Sequence, residues 1–432
     1  MVSRPHDLTF DGHQYMQKKG IQLKFLPFAL PELGEEEIAE VADTIRSGWL
    51  TTGPKTVRFE SEFAEYVGAR YALAVNSATA GLHLALEAAG IGLGDLVITT
   101  PFTFTASAEV VRYLGAEPVF VDIDPRTFNV DAGLVQKYLA QRRKAAEDRA
   151  QSTENLEGVR SGKCECVKAI IPVHFGGQAC EMGRLMEIAR EYDLKVVEDA
   201  AHALPCSSDG KMVGTIGDAT VFSFYVTKTL ATGEGGMITT DSEEVAKRIK
   251  VMRLHGISRD IWDRYTATKP NWYYEVVAPG FKYNMSDITA SIGIHQLKKV
   301  EQFQIRREEI ASRYNDAFAD LPLRSPVVAN PADRHAWHLY VIQLELERLS
   351  ISRDVFIKKM AEKGIGTSVH FIPLHIHPYW RDRYGFKPED FPVANDCFRR
   401  AVSLPIYSKM TDEDVERVKE AVKEVLRESD RS

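Results

Sequence analysis

The 432-residue chain has no uninterrupted apolar run long enough to cross a bilayer, which argues against a helical membrane span. Its first 22 residues are polar and place no apolar segment behind the first basic residue, so secretion is not expected and the chain reads as cytoplasmic. Cysteine is scarce. Five in a chain of this length point to a reducing compartment, and an odd number cannot all pair. Cys164 and Cys166 are spaced like half of a zinc site, but no second Cys or His pair follows. Two ordinary thiols leading into a strand is therefore the favoured reading, and no metal is expected. Charge of one sign is nowhere concentrated: 54 basic and 61 acidic side chains give a net charge of -7 spread along the chain. No basic stretch is dense enough to mark a nucleic acid or an anionic membrane as partner. Also missing are a GxGxxG opening a helix, a Walker motif and any internal repeat. What is present is 44% hydrophobic residues in a chain longer than one core usually supports, which suggests a two-domain enzyme for small molecules.

From residue 35 onward helical and buried-strand patterns alternate. Residues 34–47 put acids in a first helical turn and set Ile38, Val41 and Ile45 on one face. Short apolar runs at 71–75, 96–100, 118–121, 167–172, 195–197 and 219–224 read as strands, with helices at 79–89 and 106–114 between some of them. Strands that are apolar throughout are buried on both faces, and helices between them imply parallel crossovers. The expected fold class is therefore α/β: a large, doubly wound, mostly parallel sheet domain over 25–262, behind an N-terminal extension at 1–24. The charged stretch 141–163 reads as an exposed insertion or the tail of a helix. Residues 286–321 form one long periodic segment, a helix leading out of the first domain. With a strand at 337–344 and helices at 354–362 and 411–428, residues 263–432 make up this connecting helix and a smaller α+β domain.

In an open parallel sheet, chemistry gathers at the carboxyl ends of the strands. Three such ends carry reactive or ligand-binding residue types. Asn76-Ser77-Ala78-Thr79 stands where a strand turns into a helix, and free N–H groups there make a phosphate cradle, although Ser and Thr are also the usual helix caps. Glu198-Asp199 ends a buried strand; a carboxylate there needs a partner, which a pyridinium nitrogen, a salt bridge or a metal would supply. Lys228 ends the run that starts at Ser223 and precedes a glycine-rich turn, TGEGG. Burial lowers a lysine's pKa and makes it a nucleophile, whereas a lysine that merely snorkels to solvent stays an ordinary cation. Cradle, carboxylate and lysine on separate strand ends, in this order, describe a pyridoxal-phosphate site.

With these stretches in hand, the chain resembles the DegT/DnrJ/StrS family of pyridoxal-phosphate sugar aminotransferases, which have the aspartate aminotransferase-like, type I fold. The likeness runs from residues 47–60 (SGWLTTGPKTVRFE) to 368–380 (SVHFIPLHIHPYW). It is most specific at 198–203 (EDAAHA), 223–240 (SFYVTKTLATGEGGMITT) and 280–288 (GFKYNMSDI). The resemblance implies pyridoxal 5'-phosphate as cofactor, held covalently by Lys228, with Asp199 keeping its ring nitrogen protonated. These two are the implied catalytic residues. Ser77, Ala78, Thr79 and the Ser223 hydroxyl are implied at the cofactor phosphate, Phe104 stacked on the ring and His202 at the phenolic side. Asn284 is implied to reach across a homodimer interface to the neighbouring phosphate. The implied reaction takes an amino group from L-glutamate, with Lys228 moving the proton, and places it on a nucleotide-linked keto sugar for glycan biosynthesis. A dehydratase branch of the family has His in place of Lys228, so the lysine argues against that branch. The TGEGG turn suits amination at C4 of a 4-keto-6-deoxy or related sugar; C3 amination stays open, as does a non-catalytic regulator on the same fold. An amino-acid transaminase would need an arginine clamp, and residues 370–380 contain no arginine within the HFIPLHIHPYW run, offering His370, His375 and His377 instead.

Overall fold

A computed structural model of the chain describes residues 15–18, 21–152, 166–258 and 273–431. Most of the expected N-terminal extension, Cys164 and the end of the 141–163 stretch lie outside the described residues. The described start is a hairpin, β1 (Tyr15–Lys18) and β2 (Ile21–Lys24). Helix α1 (Glu35–Ser47) follows, then α2 (Pro54–Val67), which has proline in its first turn. The cap of α2 comes from far along the chain, because its own N-cap, Gly53, has no side chain to offer. The buried carboxylate of Asp287 accepts the N–H groups of Gly53 (2.8 Å), Lys55 (3.0 Å) and Thr56 (2.9 Å) together with the Thr56 hydroxyl (2.6 Å). That satisfies donors every helix leaves free at its start.

The large sheet is built from β3 (Tyr71–Val75), β4 (Leu96–Thr99), β5 (Glu117–Phe120), β6 (Val167–Ile170) and β7 (Lys195–Asp199). After a two-residue pair, β8 (Ser207–Ser208) and β9 (Lys211–Met212), it is completed by β10 (Ala219–Ser223) and β11 (Gly236–Thr240). Its order is β3-β11-β10-β7-β6-β4-β5, parallel except for β11, which runs against both neighbours. Helices α3 (Ala78–Ala88), α4 (Ala106–Tyr113), α5 (Ala132–Ser152) and α6 (Met182–Tyr192) connect the strands, and α7 (Glu243–Met252) follows the last of them. The described part of the 141–163 stretch is thus the end of α5. Apolar clusters lie on the sheet: Phe59 and Phe63 of α2 pack with Phe222 and Phe224, while Leu82, Leu84 and Leu86 of α3 pack with Val75, Val221 and Ile238. This is the type I fold of pyridoxal-phosphate transferases expected from the sequence.

A 32-residue helix, Asp287–Phe318, runs from one core to another. Ile294, Leu297 and Val300 pack beside Phe59 and Phe63, whereas Ile310, Tyr314 and Phe318 enter a second core. That second core covers an antiparallel sheet of β12 (Leu323–Arg324), β13 (Tyr340–Leu344) and β14 (Ala401–Leu404), backed by helices Arg353–Glu362 and Asp412–Arg427. Strand β13 starts three residues later than its apolar pattern suggests. The peptides before it are taken by a turn of the large sheet: Ala336 N–H bonds Gly177 O (2.9 Å) and Leu339 N–H bonds Gly176 O (3.1 Å). A Cβ on Gly177 would lie 2.9 Å from Ala336 Cβ and the Trp337 nitrogen, so the close approach requires glycine. No described helix is long and apolar enough to cross a membrane.

The apolar face of α1 is not its buried face: Ile38 is 60% and Ile45 57% exposed, while Glu37 and Thr44 are buried. Polar bonds to the long helix set this orientation. Glu37 accepts from Gln296 (2.9 Å) and Lys299 (2.9 Å), and the Thr44 and Ser291 hydroxyls meet at 2.6 Å. Charged hydrogen bonds held out of water outweigh the few apolar contacts available to Ile38 and Ile45 on this side.

Candidate active site

Eight of the nine residues singled out in the sequence line one cavity of about 460 Å³: Ser77, Ala78, Thr79, Phe104, Asp199, His202, Ser223 and Lys228. The cavity opens at the carboxyl ends of the parallel strands, where β3, β7 and β10 deliver the first three groups of interest. At the end of β3 the Ser77 side chain accepts the Ala80 N–H (3.1 Å) and so caps α3. The N–H groups of Ala78 and Thr79, the first two of the helix, have no acceptor within it and form the positive end of its dipole. Gly236 of β11 passes directly behind this turn. A Cβ there would lie 2.8 Å from the Ala78 nitrogen, so only glycine leaves the cradle its shape. A phosphate fits this donor set.

At the end of β7 two adjacent carboxylates part company. Glu198 is fully buried and bonded to His174 Nε2 (2.9 Å), the Thr220 hydroxyl (2.6 Å) and Gly217 N–H (2.8 Å). It is a structural strut. Asp199 points to the opposite side, as strand alternation requires, and lines the cavity. Its carboxylate accepts from the Ser107 hydroxyl (2.7 Å) and Ala201 N–H (3.1 Å), which leaves acceptor capacity for a ligand such as a protonated ring nitrogen.

Beyond β10 the chain makes a turn in which Lys228 N–H bonds Tyr225 O (2.8 Å) and Phe224 N–H bonds Gly235 O (2.9 Å). The turn folds the TGEGG segment back on the strand and aims Lys228 into the cavity wall. Loss of hydration there pushes the ammonium down to about 8, opposed by the negative charge of Asp199. An amine so tuned is neutral often enough near physiological pH to add to a carbonyl.

Phe104 is 61% exposed and lines the cavity. His202 accepts the Gly176 N–H at Nδ1 (3.2 Å), so its proton resides on Nε2. Its ring lies against His338, with centroids 4.5 Å apart, and stacks on Phe371 at 5.8 Å. Burial, then Lys228 and His370, hold His202 well below the usual histidine range. His370, which the sequence offered only as a possible sugar contact, lines the same cavity, is bonded at Nδ1 to Ser403 (2.8 Å) and is pushed down to about 4 by burial. His375 and His377 do not join it. His375 is buried with neither ring nitrogen bonded among the described residues, and His377 lines a neighbouring groove.

Asn284 is the residue that this chain does not bring to its own cavity. Its side-chain amide donates to Thr52 Oγ1 (2.7 Å), its carbonyl accepts from Lys282 Nζ (2.6 Å), and its backbone bridges to Val75. The cavity also includes residues that no sequence pattern flagged, among them Phe28 and His338, and Phe371, which lies in the quoted 368–380 stretch but was not singled out. They arrive from the N-terminal segment and from the smaller sheet's side through tertiary packing, so no spacing rule could have found them. Alongside lies a groove of about 790 Å³ that shares Thr103, Phe104 and Phe371 with the cavity and continues past Tyr113 and Tyr379.

A doubly wound sheet that brings a helix N-terminus suited to a phosphate, a carboxylate and a partly buried lysine together at its strand ends has the donor set of a pyridoxal-phosphate enzyme. Residues 31–423 match the DegT/DnrJ/EryC1/StrS aminotransferase family, and the chain belongs to that family. It is 48% identical over 408 residues to the spore coat polysaccharide biosynthesis protein SpsC of Bacillus subtilis, covering 94% of this chain and 98% of that one. Among solved structures it is similar to Spr1654 of Streptococcus pneumoniae in its PLP form (31% identity, 94% of this chain and 99% of that chain, TM-score 0.80). It is also similar to PseC of Helicobacter pylori, an aminotransferase involved in the biosynthesis of pseudoaminic acid (25% identity, 94% and 100%, TM-score 0.79). The protein is a pyridoxal-phosphate-dependent sugar aminotransferase.

Proposed function

We propose that the protein transfers an amino group from L-glutamate to the C4 keto group of a nucleotide-linked 4-keto-6-deoxy or related sugar. Bound pyridoxal phosphate supplies the electron sink for breaking the donor's Cα–H bond. Lys228 holds the cofactor at rest, and once released it takes the proton from Cα and returns it on the cofactor side as general base and acid. Asp199 keeps the ring nitrogen protonated, residues 77–79 and Ser223 hold the phosphate, Phe104 covers the ring and His202 offers its Nε2–H to the phenolic oxygen. The observation that carries the sugar reading is the lining of the cavity. Among the described residues the cavity contains no arginine to clamp an amino acid's carboxylate, and it continues into the 790 Å³ groove, whose Arg112 is bonded to the Ala116 carbonyl and to Glu117 and which gives room for the nucleotide. Involvement of the similar SpsC in polysaccharide biosynthesis agrees with this.

The working form is proposed to be a homodimer with shared sites. Leu30, Leu33, Ile38, Ile45, Leu50 and Val57 are all exposed, apolar side chains that a second protomer would cover. Asn284 belongs to the segment from Lys282 to Asp287 that carries the cap of α2, next to this surface, and in a dimer it is assigned to the partner's phosphate. The test of substrate class is a panel of nucleotide-linked 4-keto and 3-keto sugars offered to the enzyme with L-glutamate, followed by mass and NMR of the product. An amine at C4 is the expected result. Amination at C3 alone would overturn the positional assignment, and turnover of simple 2-keto acids as acceptors only would overturn the sugar reading.

A further inference from the structure

Each carboxylate oxygen of Asp199 is committed to one donor of the chain itself: Oδ1 to the Ala201 N–H (3.1 Å) and Oδ2 to the Ser107 hydroxyl (2.7 Å). Ser107 is fully buried in the first turn of α4, and its oxygen also lies 2.8 Å from the hydroxyl of Thr103, itself buried. The direction of this chain of bonds follows from proton counting. An ionised carboxylate only accepts, so the single Ser107 proton goes to Asp199. With that proton spent, Thr103 must be the donor of the pair, giving Thr103 to Ser107 to Asp199. The Phe104 carbonyl, 3.4 Å from Ser107, is too distant to compete with the carboxylate. Donors aligned in series polarise one another where water is excluded, so Thr103 strengthens the bond that Ser107 gives the carboxylate. The two fixed donors also prevent the carboxylate from rotating, so the rest of its acceptor capacity stays turned to the cavity.

We infer that Ser107, backed by Thr103, is a positioning residue that aims the Asp199 carboxylate at the cofactor's ring nitrogen. The inference rests on the role proposed above for Asp199. Its consequence is measurable on the cofactor itself: a weaker or misaligned carboxylate lets the ring nitrogen lose its proton at lower pH.

The test uses the full-length protein, stripped of cofactor and titrated with pyridoxal phosphate isotopically labelled at the ring nitrogen. Ser107→Ala is expected to bind the cofactor about ten-fold more weakly, the size of one charged hydrogen bond. Its nitrogen NMR resonance should lose the protonated signature about one pH unit below the wild-type midpoint. Ser107→Thr, which keeps the hydroxyl, should restore both. Thr103→Val removes only the outer donor and should shift the midpoint in the same direction by less, and it serves as the deciding variant if Ser107→Ala does not fold. Asp199→Asn separates the two levels of the argument. If it leaves the nitrogen titration unchanged, the assigned role of Asp199 fails and this inference with it. If it moves the titration while Ser107→Ala and Thr103→Val do not, the positioning inference alone is overturned.

Discussion

Lys228 acquires its reactivity from its position. As an exposed side chain it would stay an ammonium until about 10.5, but loss of hydration in the cavity wall brings it down to about 8. Only the neutral amine adds to the cofactor's carbonyl, so the rate of cofactor capture should climb with pH and level off above a midpoint near about 8. Stopped-flow absorbance on cofactor-free protein checks this; a midpoint near 10.5 would show that the lysine is hydrated. The same scale shows what the sequence could reveal of the site. Ser77, Asp199, Ser223 and Lys228 were legible because each occupies or follows a strand end, and strand ends are recognisable from apolar runs. The separate fates of Glu198 and Asp199 were not, since deciding which carboxylate faces the cavity needs the strand's alternation fixed by its neighbours. Phe28 and His338 were not legible either, because nothing near them in sequence marks them as cavity residues.

Among the elements, α2 is held at its start by Asp287, 230 residues and more away from the peptides it caps. Removing that carboxylate strands three N–H groups and a buried hydroxyl, so Asp287→Ala should lower stability by about 3 kcal/mol. Equilibrium urea unfolding checks it, and a loss under about 1 kcal/mol would mean that water or another side chain caps the helix. Glu40 ties α1 to α2 and to the long helix. Its partial burial works to raise its pKa, but hydrogen bonds from Lys55 (2.5 Å) and His295 (2.7 Å) prevail and hold it down to about 2, from 4.5. A carboxyl depressed in the folded state stabilises fully above its unfolded pKa and loses that contribution as pH falls toward the folded value. The wild type should therefore lose about 2 kcal/mol between pH 4.5 and about 2 that Glu40→Gln does not lose. Parallel curves of melting temperature against pH for the two proteins would contradict it. The helices named from the sequence, such as 34–47, 79–89 and 106–114, lie within a few residues of the observed ones because caps and apolar runs are local signals, whereas α2, α6 and α7 were not read. The face presented by α1 was not: its periodicity pointed to Ile38 and Ile45, while the burial was decided by Glu37 and Thr44 bonding to a helix that begins some 240 residues later.

For the whole molecule, the exposed residues Ile38, Ile45, Leu50 and Val57 join fold to function if two protomers share their sites. Ile45→Asp is expected to raise the dimer dissociation constant at least ten-fold by sedimentation, and to weaken cofactor binding in step because Asn284 is withdrawn from the partner's phosphate. A variant that is monomeric yet binds the cofactor as tightly as the wild type would show that each protomer's site is complete alone. The account as a whole depends on one half-reaction, and absorbance follows it directly. Protein loaded with pyridoxal phosphate should show a visible band that L-glutamate converts to the shorter-wavelength pyridoxamine form, releasing 2-oxoglutarate in equal amount, and Lys228→Ala should show neither the band nor the conversion. A band that L-glutamate leaves unchanged would contradict the proposed donor, and a Lys228→Ala protein that still turns over would contradict the site.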